Sequence, residues 1–138
     1  MDLGLTDKVA IITGGSEGIG KAAAQRMAEE GARPIIVARR ADVLEAAAQD
    51  IRNATGGTVL AVAGDVTESD TIDRAVQAAL DNFGRIDILV NNAGVSMAKH
   101  FELVSDDDWS SDFDLKVWAA VRLIRSVIPE MRKVGGGR

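Results

Sequence analysis

The chain has 138 residues, the usual size of one domain, with 46% apolar and 27% charged side chains, a composition able to build a globular core. No cysteine and a single histidine exclude disulfides, thiolate nucleophiles, cysteine-held zinc or iron–sulfur groups and multi-histidine metal sites. A net charge of −5 speaks against nucleic acid as a partner, no apolar run approaches the ~20 residues of a membrane helix, and Met1 to Gly4 carries no signal-peptide pattern, so the expected compartment is the cytoplasm.

The first apolar run is Val9-Ala10-Ile11-Ile12. It is followed by Thr13-Gly14-Gly15-Ser16-Glu17-Gly18-Ile19-Gly20-Lys21 and then by apolar residues at helical spacing, Ile19, Ala23 and Met27. Ile35 to Ala38 forms a second run, and Leu44, Ala47, Ala48 and Ile51 a second helical stripe. Val59 to Val62 is the third run, followed by the stripe Ile72, Val76, Ala79, Leu80 and Phe83; Ile86 to Val90 is the fourth. The runs are mostly continuous, as in strands buried on both faces of a parallel sheet. Strands alternating with helices read as βαβ units. The expected fold is therefore α/β, a Rossmann-type doubly wound parallel sheet cut to about four strands in the order 3-2-1-4, within one domain over residues 1–138.

Helix boundaries follow from local chemistry. Asp42 and the pair Thr67 and Asp70 are expected to cap helix starts. Gly31, Gly56 and Gly84 are expected at helix ends, where a left-handed residue is wanted. Ser105-Asp106-Asp107-Asp108 is expected to open a last helix over 106–133, its acids serving as cap and solvated turn. That helix is apolar on two sides: Phe113, Val117, Val121, Ile124 and Ile128 make one stripe, with Leu115, Trp118, Ala119 and Val127 largely outside it. It needs partners on more than one face, which points to a homo-oligomer formed through it. The fourth strand is expected to be an unprotected sheet edge, and Gly135-Gly136-Gly137-Arg138 a turn leading nowhere.

The glycine-rich segment between the first strand and its helix is the main chemical signal. Glycines there let backbone N–H groups approach a pyrophosphate at a helix N-terminus. The spacing is Gly14-x3-Gly18-x-Gly20. Gly15-x4-Gly20-Lys21 is one residue short of a Walker A loop, and Ala22 stands where magnesium requires Ser or Thr. The remaining alternative is a turn whose glycines serve tight packing alone.

Thr13-Gly14-x3-Gly18-x-Gly20, Gly64-Asp65-Val66 after the third run and Asn91-Asn92-Ala93-Gly94 after the fourth resemble the short-chain dehydrogenase/reductase family along the whole chain. The resemblance implies a nicotinamide dinucleotide and reversible hydride transfer between alcohols and carbonyls. It places Gly14, Gly18 and Gly20 at the pyrophosphate and Ile19 on the nicotinamide side. Asp65 would accept from the adenine amino group, with Val66 against the ring. Asn91, Asn92, Ala93 and Gly94 would close over the adenosine ribose, Asn91 also fixing the central strand. The bland alternatives are an Asp65 that caps its own loop and an ordinary Asn-Asn-Ala-Gly turn.

The end of the second run bears on cofactor choice. An acid about 20 residues past the glycine loop holds the ribose 2′-hydroxyl of NAD; here Ala38 is followed by Arg39 and Arg40. Guanidinium groups hold a 2′-phosphate through paired, charge-assisted bonds, so NADP(H) is expected over NAD(H), with Arg39 the main contact, Arg40 beside it and Ser16 assisting. The alternative is a pair of solvated loop arginines.

The resemblance also implies a catalytic serine and a Tyr-x3-Lys beyond a fifth strand. The chain ends before that strand and contains no tyrosine. As written it is expected to hold dinucleotide weakly and to transfer no hydride alone, so that no catalytic residue is assigned within it. The family's helix-four asparagine falls at Lys116, a doubtful relay residue or else a surface one. Ser96, Lys99 and His100 lie where family members shape a substrate pocket. Two further readings stay open: a natural non-catalytic short form that binds dinucleotide or pairs with family subunits, and a structural protein with a vestigial nucleotide loop.

Overall fold

The computed structural model describes residues 1–96 and 98–138. Four strands, β1 (Val9–Thr13), β2 (Arg33–Ala38), β3 (Leu60–Ala63) and β4 (Ile88–Val90), alternate with helices α1 (Gly18–Glu29), α2 (Ala41–Thr55) and α3 (Ser69–Phe83). They form one parallel sheet in the order β3-β2-β1-β4. Ile11 of β1 pairs with Ile35 of β2 and Leu89 of β4, and Ile36 of β2 pairs with Ala61 of β3. The fold class and strand order are those expected from the sequence.

Alternation along the strands divides the core in two. Val9, Ile11, Ile35, Val37 and Val62 face the layer of α3 and the last helix, among Ala75, Ala79, Ala119 and Val127. Ala10, Ile12 and Ile36 face α1 and α2, among Ala24, Leu44, Ala48 and Ile51. Both faces are covered, so both sets of side chains must be apolar, and the strands read as unbroken runs. Ile11, Ile12, Ile35 and Ile36 have no exposed surface.

The helix ends follow the sequence in part. Gly56 and Gly84 close α2 and α3 in the left-handed conformation (φ 68° and 71°). Neither expected N-cap forms. Helix α2 starts at Ala41, putting Asp42 inside its first turn, and Arg40 precedes it without a side-chain cap bond. Helix α3 follows Glu68, and Thr67 is diverted: its amide and hydroxyl both donate to Asp65 Oδ1. At Ser105 the cap is complete. Its Oγ accepts from the Asp108 amide while Asp108 Oδ2 accepts from the Ser105 amide.

Residues 106–133 are helical throughout, in three pieces: α4 (Asp106–Phe113), a wide π turn over Asp114–Trp118, and α5 (Ala119–Lys133). The face of α5 that meets the core carries Ala119, Leu123 and Val127. Phe113, Val117, Trp118, Ile124 and Ile128 are exposed. After α5, the turn at Gly135–Gly137 brings Arg138 back to the sheet. The Arg138 amide donates to Asp87 O at 3.0 Å and the Leu89 amide to Arg138 O at 2.9 Å. This corrects two expectations: the turn leads to β4, and the outer edge of β4 is paired there.

Candidate binding cleft

A cleft of about 650 Å³ opens at the C-terminal ends of the strands, within the size range of small-molecule sites. Its walls are the β1–α1 loop, the end of β2 with Arg39 and Arg40, Gly64 to Val66 after β3, Asn92 to Val95 after β4, and Leu115.

Backbone geometry shapes the β1–α1 loop. Gly14 has φ +67° and its amide donates to Val37 O at 2.8 Å, turning the chain back over β2. Gly20 is buried, and a Cβ there would collide with Gly14 O and stand 2.5 Å from Asn92 Nδ2. It therefore packs the helix against the loop, whereas Gly14 and Gly18 line the cleft. A Cβ at Gly18 would meet nothing within 4 Å. Glu17 makes no side-chain cap bond and the first turn of α1 holds no acid. The orphan amides at the start of the helix thus remain available to an anion. Ser16 and Ile19 also line the cleft, Ile19 with 81% exposure.

The opposite wall is tied to the loop through Thr13. Its hydroxyl accepts from the Asn92 amide at 3.0 Å and the Ala93 amide at 2.9 Å, and donates to Val90 O. The Asn92 side chain donates from Nδ2 to Thr13 O and Gly14 O. Asn92 thus makes the central-strand link expected of Asn91. Asn91 is exposed and lines a small hollow with Thr13 and Lys116. Ala93 and Gly94 face the cleft. Val66 is buried at its wall, and Asp65 lines it with Oδ1 engaged by Thr67.

Arg39 and Arg40 are exposed at the rim. Arg40 Nη2 donates to Glu17 Oε1 at 2.8 Å; Arg39 has no ion pair among the described residues. Lys116 lies outside the main cleft, its Nζ 2.8 Å from Asp112 Oδ1 and donating to Oδ2. With Lys99, Phe101 and Trp109 it borders a second hollow of about 270 Å³. Lys99 donates to Asp108, and that bond with the Ser105 amide holds the Asp108 carboxyl below its usual value. Ser96 and His100 are exposed and line neither cavity. Among the described residues no group of His, Asp and Glu is disposed to hold a metal ion.

Sequence reasoning missed Glu17, Val95 and Leu115 as cleft residues. Leu115 reaches the cleft from the π turn, which leaves no periodic trace.

Residues 8–138 match the model of the short chain dehydrogenase family; the chain belongs to that family. An uncharacterized oxidoreductase of Bacillus subtilis, YvrD, is 36% identical over all 138 residues, which span 51% of its length. The 3-oxoacyl-[acyl-carrier-protein] reductase FabG of Chlamydia muridarum is 36% identical over 133 residues, 96% of this chain and 54% of that protein. Among solved structures, L-sorbose reductase from Gluconobacter frateurii, complexed with NADPH and L-sorbose, superposes with a TM-score of 0.94. It is 44% identical over 99% of this chain and 52% of its own. A metagenomic short-chain oxidoreductase in complex with NADP gives 0.87 at 32% identity, covering 96% of this chain and 61% of that one. The chain spans about half the length of the curated relatives it matches.

Proposed function

We propose that this chain holds NADP(H) in the cleft, as the cofactor-binding portion of an oxidoreductase that moves hydride between NADP(H) and an alcohol or carbonyl compound. The observation that carries the reading is the joint geometry of the uncapped start of α1, the open space at Gly18 and, just after β2, an Arg39 with no ion pair among the described residues. The NADPH and NADP complexes of two similar structures support it. When bound, the cofactor supplies or takes up the hydride. The residues of this chain do the holding. The first amides of α1 bind the diphosphate, Val66 packs against the adenine, and Asp65 accepts from its amino group. Ala93 and Gly94 bound the ribose, and Ile19 covers the nicotinamide side. Arg39 pairs with the 2′-phosphate, where an acid would repel it.

The 138 residues include no tyrosine, so they contain no phenolic proton donor for a carbonyl oxygen. On this reading the chain alone binds cofactor and does not turn substrate over. Fluorescence titration should give NADPH an affinity about tenfold above NADH. Indifference to both cofactors overturns the reading, and equal affinity overturns the preference. Turnover by the 138-residue chain with a panel of carbonyl compounds overturns the division of labour. A second copy of the chain is proposed to cover the exposed face at Phe113, Val117, Trp118, Ile124 and Ile128.

A further inference from the structure

The loop that follows β3 carries Asp65 and Val66 to the cleft, and an arginine from a different helix grips each end of it. At the near end Arg74 of α3 donates from Nη1 to the carbonyl of Ala63, the last residue of β3, at 2.9 Å. Gly64 leaves it room: a Cβ there would collide with Thr71 Oγ1 and stand 2.8 Å from Arg74 Nη2. At the far end Arg122 of α5 donates from Nη1 to Thr67 O at 3.3 Å. Each guanidinium is itself held by a carboxylate. Arg74 Nε donates to Asp70 Oδ2 at 2.8 Å, and Arg122 Nη1 to Asp114 Oδ1 at 3.0 Å, this second bond reaching across the π turn. Between the two grips the Thr67 amide and hydroxyl engage Asp65 Oδ1; among the described residues Asp65 Oδ2 receives no hydrogen bond. The four charged side chains are at least 40% exposed, and ion pairs so exposed contribute little to stability. A guanidinium on a carbonyl is a charge-assisted bond from a rigid fork, so its consequence lies in where the loop sits.

We infer that Arg74 and Arg122 are positioning residues: gripping the loop at both ends, they hold Asp65 Oδ2 where it accepts from the amino group of the adenine. This rests on the NADP(H) reading above. Its test is titration of the 138-residue chain with NADPH and with the reduced hypoxanthine analogue of NADPH, which carries an oxo group in place of the adenine amino group. The wild-type chain should favour NADPH about tenfold, the worth of one hydrogen bond to a carboxylate. Arg74→Gln and Arg122→Gln should each lower that ratio to about threefold, and the double variant should bring it near one, the loss falling on NADPH while affinity for the analogue stays within about twofold. Arg122→Lys, which keeps a donor for Thr67 O, should hold a higher ratio than Arg122→Gln. If one glutamine variant fails to fold, the other applies the same test from the opposite end of the loop. A ratio unchanged in the folded variants overturns the inference, and so does an equal loss of affinity for both ligands, which would assign the arginines to the fold alone. A wild-type chain that binds neither ligand removes the NADP(H) reading and this inference together; one that binds both equally removes the inference alone.

Discussion

Gly20 and Gly18 stand two positions apart in the same loop, yet the space around them differs completely. A methyl group at Gly20 meets Gly14 O and Asn92 Nδ2, both held by the fold, while one at Gly18 projects into the open cleft. Gly20→Ala should therefore cost about 3 kcal/mol in urea denaturation, as overpacking against fixed atoms does. Gly18→Ala should cost only about 1 kcal/mol, from its positive φ of 55°, but should weaken cofactor binding by intruding where the diphosphate is proposed to sit. Arg39→Gln should lower NADPH affinity about tenfold and leave NADH affinity within about twofold, read by the same titrations. Neighbouring residues of like type can thus hold different offices, and Asn91 and Asn92 repeat the lesson. The sequence offered both; the side chain of the second is the one that reaches β1.

Among the elements, the strands were legible because a sheet covered on both faces demands apolar residues at every position, as Val9 to Ile12 and Ile35 to Val37 show. The caps were legible only where no competing partner was at hand. Ser105 met its Asp108, so Ser105→Ala should lower stability by about 1 kcal/mol in thermal or urea unfolding; Thr67 was taken by Asp65 instead. The last helix has two apolar stripes, and periodicity cannot say which is inside. Packing against α3 and the sheet selects Ala119, Leu123 and Val127. The start of β4 is pinned by Asp87, whose side chain is 6% exposed. Burial works against its charge, but Arg85, the Val9 amide and Lys8 outweigh this and hold the carboxyl below the usual carboxylate value. Such a group stabilises the fold fully above the unfolded carboxylate pKa, and the gain is lost as pH falls through its lower folded value. Asp87→Asn should therefore cost about 2 kcal/mol near neutrality, and the difference from wild type should narrow below about pH 4 in acid unfolding curves.

For the whole molecule, the exposed stripe on the last helix is the largest departure from the sorting of apolar residues inward. Trp118 is 52% and Phe113 52% exposed, and such a face on one long helix favours association. Sedimentation of the wild-type chain should show an assembly that dissociates on dilution, and Ile124→Glu should give a monomer with an unchanged far-ultraviolet spectrum. The cleft itself is framed differently, because the hydroxyl of Thr13 joins the ends of β1 and β4 and Asn92 clasps the glycine loop from the end of that neighbouring strand. Floor and far wall are therefore a single rigid mount, shaped when the polypeptide folds and not when a guest arrives. A ligand entering it has little disorder left to quench on that side, so association should be fast and nearly free of a slow rearrangement phase. Trading Thr13 for Val, which keeps the shape and removes the knot, should introduce such a lag.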